Sequence, residues 1–392
     1  MASPLALVPD LASSASTSIT DILETARAFA NRAARRAAEA DATGDFAADL
    51  DDLRTSGLLA TPLSFDHGGD GLGTEPGRDH ALYTVLRQIG CGSLPVGRVY
   101  EGHVNAIALI EAYGTDDQRA RAAADAHDGH LFAVWNTEVP SEGVRLAPSG
   151  DGVQMSGAKT FASGLGAVTR PVVPGTLPDG GRQMVIVPLD RVEADQDAGW
   201  WTAAGMRASQ SGRCSFWGVT LGRDAMLGEP DDYLREPLFS GGASRFAAVQ
   251  LGGATALAEA AADHLRMLGR TDNETQQLRL GRAEVALETG ALWLAGAARL
   301  AEVARAGHAS ASDVVTYAQG VRSAIEAACL EVMDLVDRAV GARGLLLPSP
   351  VERIGRDLRL YLRQPAPDAA LAAVGRAAID RPDRPRGSDV VD

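Results

Sequence analysis

The sequence has little of what stapled secreted proteins or polyanion-binding proteins need. Only three of its 392 residues are cysteine, Cys91, Cys214 and Cys329. This odd number without a short spacing argues against a disulfide framework or a thiolate metal site. Acidic residues outnumber basic ones, 51 to 37, which gives a formal net charge of −14. The chain therefore lacks the basic field that nucleic acid or an anionic membrane requires. It also has no run of about 18 apolar residues that would cross a bilayer, so a cytoplasmic protein is expected.

What is present divides the chain by texture into three parts. Residues 1–130 are rich in alanine and arginine and contain a glycine cluster at Gly68 to Gly73, which predicts a helical domain with one ordered loop. Residues 131–228 contain short β-type runs separated by Asp-Gly turns, which predicts a compact antiparallel β domain. A helical texture returns over residues 229–380, and residues 381–392 are predicted to be a mobile tail.

Two periodic stripes predict a bundle in the third part. Apolar residues recur in steps of three and four from position 314 to 340, which places them on one helix face. Ser310 and Asp313 predict a capping box at the start of that helix, and Gly341 predicts its end. A second stripe keeps a seven-residue spacing: Leu278, Val285 and Leu292. Two long helices of this kind predict a four-helix bundle, so the expected fold class is α+β, in the order helical, β, helical.

Five segments of the chain resemble signatures of the acyl-CoA dehydrogenase family and occur in that family's order. They are PLSFDHGGDGLG at 62–73, FAVWNTE at 132–138, GAKTFASG at 157–164, GMRASQSG at 205–212 with the FWGV that follows it, and AVGARGLLLPSPVERIGRDLRLY at 339–361. The resemblance covers most of the chain. It implies a flavoprotein with an N-terminal helical domain, a middle β domain and a C-terminal four-helix bundle.

The segments at 157–164 and 132–138 carry the predicted flavin-ring site. A flavin ring needs an apolar surface and hydrogen-bond partners for its nitrogens and oxygens. If residues 159–163 are extended, Phe161 and Ser163 project to one side. In the family's pattern Ser163 takes the place of the threonine that bonds the N5 side, and Phe161 replaces a tryptophan. Asn136 and Thr137 correspond to the loop at the pyrimidine edge. The alternative interpretation makes Phe161 a core residue and Ser163 a turn former.

The nucleotide end of the cofactor site matches the family less well. After Thr-Glu the family has a Gly-Ser-Asp turn, whereas this chain offers Ser141 and a Glu142 that would repel phosphate. The candidates left for this end are Arg270, Gln276, Arg338 and Gly341. FAD is the predicted cofactor, with FMN as the alternative. Because the family binds the adenine half across a subunit interface, FAD would imply a homodimer or homotetramer.

The family's catalytic glutamate has no equivalent at either of its usual positions. Eight residues beyond Arg356-Asp357 the chain has Pro365, and the earlier position used by some relatives, before an arginine, is Ser244. Neither residue is a base without help. Asp368, three residues further on, is the remaining catalytic candidate, although its position after two prolines favours a role at the start of a helix.

The resemblance therefore implies a flavin-dependent oxidoreductase and leaves its reaction open. The main prediction is α-proton removal from an acyl thioester of CoA or a carrier protein, with hydride transfer to flavin N5 and an electron-transfer partner. The alternative is a two-component monooxygenase of the same fold, which receives reduced flavin from a reductase and uses oxygen. A third possibility is a non-catalytic family member. No metal site is predicted.

Overall fold

Five helices form the first part of the chain. The computed structural model describes residues 18–363 and 366–380, so Pro365 and the predicted tail lie outside the described residues. The helices are α1 (Ile19–Thr43), α2 (Ala47–Thr55), α3 (Asp79–Gly92), α4 (Leu94–Tyr113) and α5 (Asp116–His127). Side chains of Ser18, Ser93 and Thr115 accept hydrogen bonds from the first turns of α1, α4 and α5. These caps fix where the three helices begin.

Ten short strands follow within the described residues and form two sheets. They are β1 (Leu131–Val134), β2 (Arg145–Ser149), β3 (Gly152–Ser156), β4 (Ala158–Ala162), β5 (Val168–Thr176), β6 (Arg182–Ile186), β7 (Asp195–Asp197), β8 (Gly212–Ser215), β9 (Thr220–Leu221) and β10 (Met226–Leu227). The larger sheet has the order β10-β6-β5-β2-β3-β9, with β1 beside β5, and the smaller sheet is β4-β8-β7. Pairing is antiparallel, as expected, except where β5 meets β1 and β2.

The last part is again helical and forms the expected bundle. Its helices are α6 (Leu238–Met267), α7 (Glu274–Arg305), α8 (Ala311–Gly344), α9 (Pro350–Tyr361) and α10 (Pro367–Ile379). Helix α8 packs along α6, α7 and α10, which completes the four. The predicted capping box of Ser310 and Asp313 is confirmed. Gly341 interrupts the helix with φ 62° and ψ −172°, three residues before its last residue. No described helix has the length and apolarity needed to cross a bilayer.

Glycines fix α6 against the N-terminal helices. A Cβ atom at Gly252 would lie 2.0 Å from the carbonyl oxygen of Arg87, and one at Gly90 would lie 2.3 Å from that of Val249. No side chain larger than hydrogen fits at these distances, so α3 and α6 touch backbone to backbone. This contact places Ser244 and Arg245, which belong to α6, next to the N-terminal helices.

The two predicted stripes lie in different surroundings. The α8 stripe is buried from position 318 onward, as predicted. The α7 stripe faces outward: Leu278, Val285 and Leu292 are 70%, 69% and 62% exposed. The bundle contacts of α7 come instead from other positions: Ala283, Ala286, Leu287, Gly290, Leu294 and Ala298. The bundle that this stripe predicted is present, but the stripe itself lies outside the bundle core, because a different face of α7 is buried.

Candidate active site

Phe161 and Ser163 lie at the end of β4 and differ in exposure. The pairing of β4 with β8 is irregular between Lys159 and Ala162, and Phe161 there has φ 52°. This left-handed residue breaks the strand alternation. Phe161 is 49% exposed while Ser163 is 7% exposed. The extended conformation on which the expectation of a shared side depends is therefore absent at Phe161.

The exposed ring of Phe161 belongs to an aromatic cluster. It meets Trp200 edge to face at a centroid distance of 5.1 Å and Trp201 at 5.8 Å. Edge-to-face contacts of this kind orient aromatic rings. The sequence analysis missed the two tryptophans, although adjacent tryptophans in a chain with only five of them were an available signal. The cluster provides the apolar surface that a flavin ring requires.

Behind the aromatic cluster, three serine hydroxyls form a chain. The Ser163 Oγ lies 2.8 Å from the Ser211 Oγ, which lies 2.8 Å from the Ser209 Oγ. The Ser209 hydroxyl donates to the Met206 carbonyl at 2.8 Å, and the Trp135 indole donates to the Ser163 carbonyl at 3.0 Å. All three serines are buried. Since hydroxyls donate or accept by rotation, the chain holds Ser163 in place and leaves the direction of its bonds adjustable.

The loop that carries this serine chain is fastened to α9. The backbone N–H of Met206 donates to the Asp357 carboxylate at 2.6 Å, and a Cβ at Gly205 would lie 2.4 Å from the Arg356 carbonyl oxygen. Arg356 pairs with Asp41 of α1 at 2.7 Å. Burial raises the pKa of Asp357 to about 6, against the lowering effect of its bond from Met206. The Arg-Asp signature thus connects the β domain to both helical parts.

Backbone strain is concentrated around the same loop. Five non-glycine residues in the described chain have positive φ, and three of them border the serine chain: Phe161, Met206 and Gln210. Such conformations cost free energy and persist where the surroundings impose them, commonly at functional sites.

A buried lysine holds the loop that follows β1. Lys159 has no exposed surface and donates to the Asn136 carbonyl at 3.0 Å and to the Glu138 carboxylate at 2.5 Å. Burial lowers the pKa of Lys159 to about 8, although Glu138 opposes the shift. The Arg182 guanidinium donates to the Asn136 Oδ1 at 3.0 Å. Asn136 is thereby oriented at the strand end, next to the exposed Thr137.

A buried charged cluster on α4 and α6 was missed by the sequence analysis. Arg98, Glu101 and Asn105 share one face of α4 through spacings of three and four. Arg98 and Asn105 each donate to the Glu101 carboxylate, and the Arg245 guanidinium donates to the side-chain Oδ1 of Asn105. Glu101 is 1% exposed. The available signal was polar residues at helical spacing within an otherwise apolar helix. Because both Glu101 oxygens accept hydrogen bonds, this carboxylate orients Arg98 rather than serving as a free base.

Two tyrosines adjoin the charged cluster. Ser244, at one family position for the glutamate, is buried beside Tyr83. Tyr361 ends α9, four residues before Pro365, and interacts electrostatically with Glu101 and Arg98. Its buried hydroxyl has no partner among the described residues. A buried hydroxyl without a partner costs about 1–3 kcal/mol, so this donor is available to hydrogen-bond a bound molecule.

The predicted nucleotide-end residues are partly brought together. Arg279 donates to the Gln276 side chain at 3.2 Å and to the Arg338 carbonyl at 3.0 Å, and Gly341 follows on the same helix. The exposed Arg338 side chain bonds Asp334, one turn earlier, at 3.0 Å. Arg270 is exposed between α6 and α7 and contacts none of these residues.

The remaining residues singled out in the sequence lie in the turn after Thr-Glu and in the last helix. Residues Pro140–Glu142 form an exposed turn in which Glu142 pairs with Arg213 at 2.8 Å. Asp368 lies exposed in the first turn of α10, whose N-cap is Ala366. No hydrogen bond or ion pair joins Asp368 to another described residue. It does not belong to the charged cluster.

The fold and site define a flavoprotein of the acyl-CoA dehydrogenase type, and comparison with known proteins gives the same result. Residues 16–130 match the acyl-CoA dehydrogenase N-terminal domain, and residues 244–362 match the acyl-CoA dehydrogenase C-terminal domain. The chain belongs to this superfamily.

Individual proteins resemble this chain over more than nine-tenths of its length. The dibenzothiophene monooxygenase of Mycolicibacterium goodii is 26% identical over 92% of this chain and 94% of its own. FMN-bound TdsC, from Paenibacillus sp. A11-2, superposes with a TM-score of 0.83 at 21% identity, covering 93% of this chain and 99% of TdsC. Butyryl-CoA dehydrogenase of Megasphaera elsdenii gives 0.80 at 18% identity, covering 94% and 100%.

Proposed function

We propose that this chain is the oxygenase component of a two-component flavin monooxygenase. The observation that carries the proposal is that the α6 position for the family's base holds a buried serine, Ser244, which has no carboxylate to remove a proton. Proton abstraction next to a thioester carbonyl needs a positioned base. Oxygen insertion does not need a carboxylate at that position. The similarity to dibenzothiophene monooxygenases over nine-tenths of the chain supports the same choice.

The ring-end residues fit a flavin. Bound reduced flavin supplies two electrons to oxygen, so that one oxygen atom enters the substrate and the other leaves as water. The Phe161 cluster would pack against the ring, and Ser163, two residues further along the chain, would hydrogen-bond it. Asn136, already oriented by Arg182, would meet the polar edge. These residues bind and orient the ring and exclude water from it.

FMN is the cofactor we propose, in place of the FAD favoured by the sequence. Glu142 and Arg213 neutralise each other at the turn where the family binds pyrophosphate, so neither is available to a second phosphate. The Arg338 guanidinium forms an ion pair with Asp334. The FMN complex of TdsC supports this choice. We further propose a flavin reductase as partner and a homo-oligomeric assembly, and no observation favours a CoA thioester.

We propose that the substrate binds beside the charged cluster. The buried Tyr361 hydroxyl has no partner among the described residues, and Arg98 adds a cation that Glu101 holds in place. These donors favour a small molecule that carries a hydrogen-bond acceptor next to the atom to be oxidised. Replacing the Tyr361 hydroxyl by hydrogen should therefore raise the KM for the substrate and leave flavin binding unchanged.

The test compares two reactions of the same purified protein. Oxygen consumption is measured with FMN, NADH and a flavin reductase, using aromatic heterocycles and small sulfur compounds as substrates. Anaerobic bleaching of bound flavin is measured with a panel of acyl-CoAs. We expect substrate-dependent oxygen use and product formation, with no bleaching. Fast bleaching by an acyl-CoA would contradict the proposal and restore the dehydrogenase interpretation, and its loss in Asp368→Asn would identify Asp368 as the base.

A further inference from the structure

Arg245 of α6 has a guanidinium that the protein uses only in part. Its Nε donates to the side-chain Oδ1 of Asn105. Among the described residues, its two Nη groups have no hydrogen-bond partner and no carboxylate lies within ion-pair distance. The side chain is partly buried. Because the Nη groups form a planar fork that matches two oxygens of a carboxylate or another oxyanion, this fork indicates a ligand that brings the missing acid.

The acidic side chains of the neighbouring segments are engaged with other groups. Glu101 bonds Arg98, Asp79 bonds Arg305 at 2.5 Å, and Glu236 bonds the backbone N–H of Ser240 at 3.0 Å. Two arginines, Arg98 and Arg245, thus adjoin the single carboxylate of the charged cluster. The local excess of charge is positive, in a chain whose formal net charge is −14.

The family's two glutamate positions add no negative charge. Ser244 precedes Arg245, and the other position holds Pro365. A glutamate at position 244 would place a carboxylate on the helical turn that carries the guanidinium, where it would repel an anion. The missing base therefore also removes an obstacle to a negatively charged substrate.

Two glycines leave the guanidinium uncovered on one side. Gly241 and Gly242 precede Arg245 by four and three residues, so all three lie on one face of α6. A Cβ at Gly242 would lie 3.4 Å from the Arg245 Nη2, and one at Gly241 would meet no described atom within 4 Å apart from its own helix backbone. Glycine is disfavoured inside a helix, and a ligand that approaches Arg245 over the pair accounts for both.

The ring end lies two helical turns away along α4. Val99, next to Arg98, packs against Gly164, two residues after β4: a Cβ at Gly164 would lie 3.3 Å from the Val99 Cγ1. Asn105, which bonds Arg245, follows Arg98 by seven residues, or roughly 10 Å at 1.5 Å per residue. A substrate that reaches both places is therefore an extended molecule.

We infer that Arg245 determines specificity by binding an anionic group of the substrate, a carboxylate or an equivalent oxyanion, at the end remote from the flavin ring. The inference rests on the proposed function, because it takes the reacting end of the substrate to lie beside Arg98 and Tyr361. It names the substrate class as organic acids in which a chain separates the acid group from the atom to be oxidised. A neutral heterocycle would leave Arg245 without an acid.

Direct binding tests the inference without turnover. Phenylthioalkanoic acids of increasing chain length, each matched by its primary amide, are titrated calorimetrically into the protein with and without FMN. Acid and amide have the same size, so their difference reports the charge. We expect the best-fitting acid to bind at least about 10-fold more tightly than its amide, as for charge-assisted hydrogen bonds, and to bind more weakly at high salt.

Substitution of Arg245 separates charge from packing. Arg245→Gln should weaken binding of the acid at least about 10-fold and leave the amide within about twofold, whereas Arg245→Lys, which keeps the charge without the fork, should recover part of the loss. In the oxygenase assay Arg245→Gln should raise the KM for the acid and leave kcat and FMN affinity nearly unchanged. Arg282→Gln removes an exposed arginine of α7 and is the matched control, with no effect expected on either ligand.

Ser244 supplies an independent test of charge. Ser244→Asp should weaken binding of the acid more than that of the amide, because a carboxylate returns to the turn that carries Arg245. Ser244→Asn, of the same size without the charge, is its control. Circular dichroism verifies that each variant is folded, and the Arg245 variants decide if the buried position accepts neither residue.

Two results would overturn the inference. One is a wild type that binds acids no better than amides, which includes no binding of either at about 10 mM. The other is an equal loss of affinity for both ligands in Arg245→Gln. The proposed reaction fails separately: an acid preference that disappears in Arg245→Gln, in a protein that consumes no oxygen with any of these compounds, would keep the anion site and reject the monooxygenase.

Discussion

The ring end and the nucleotide end of the candidate cofactor site differ in how firmly the protein holds them. At the ring end, buried serines and Asp357 fix the strained loop between the β domain and α9. A buried lysine fixes the loop that follows β1. At the nucleotide end, the candidate arginines are exposed and are bonded to neighbours on their own or the next helix. The protein therefore fixes the candidate ring end more firmly than the candidate nucleotide end. Substitutions at the first end should have large effects and those at the second end small ones.

The largest effect is expected at Lys159. Lys159→Met should lower the free energy of unfolding by about 3–5 kcal/mol, because it leaves the Glu138 carboxylate without its shortest ion pair. Arg182→Met, on the same carboxylate at 3.4 Å and partly exposed, is the matched control and should cost about 1 kcal/mol. Urea unfolding of the apoprotein measures both. Equal losses of unfolding free energy would show that burial of Lys159 does not increase its contribution to stability.

A pH-dependent effect of similar size is expected at Asp357. Its pKa in the folded chain is about 6, above the ordinary 3.8, so the folded state binds its proton more tightly than the unfolded state. Stability is therefore lost as pH rises from about 4 to 6. The shift of about two pKa units corresponds to roughly 3 kcal/mol.

Asp357→Asn should remove this slope while its amide oxygen still accepts from Met206. The difference in free energy of unfolding between variant and wild type should move by roughly 3 kcal/mol in favour of the variant between pH 4 and 6. Urea titrations at several pH values measure it, with Asp368→Asn as an exposed control. A pH-independent difference would contradict the burial argument.

A moderate effect is expected for the serine hydroxyl at the ring. Ser163→Ala should weaken FMN binding about fivefold, the equivalent of one hydrogen bond of about 1 kcal/mol. Ser141→Ala, at the nucleotide end, should change it less than about twofold. Fluorescence quenching of FMN measures both. Equal effects of the two alanines would erase the distinction between the two ends.

The smallest effect is expected at Arg338, and it separates the two cofactors. If FMN is the cofactor, Arg338→Ala should change the flavin Kd less than about twofold, because a surface ion pair contributes little. If the site takes FAD, a lost phosphate contact should weaken FAD more than FMN. Titrating both flavins into wild type and variant decides between them.

Much of the fold followed from local patterns. The capping box at Ser310, the buried face of α8 and the order helical, β, helical depend on contacts between residues near in sequence, so periodicity and turn chemistry predict them. The family resemblance supplied the assignment to a flavoprotein superfamily in the same way, through short segments in a fixed order. The placements of Ser163, Asn136 and the nucleotide-end residues toward a cofactor stay predictions.

The sequence by itself determined the order of the helical and β parts, the start of α8 and the face of α8 that is buried. It did not determine which face of α7 is buried: the stripe of Leu278, Val285 and Leu292 is exposed, because packing depends on the residues of other elements. The left-handed Phe161 and the cluster of Arg98 and Glu101 were likewise decided by tertiary structure. Each depends on groups that are distant in sequence or on a strand irregularity imposed by a neighbour, and no local pattern records either.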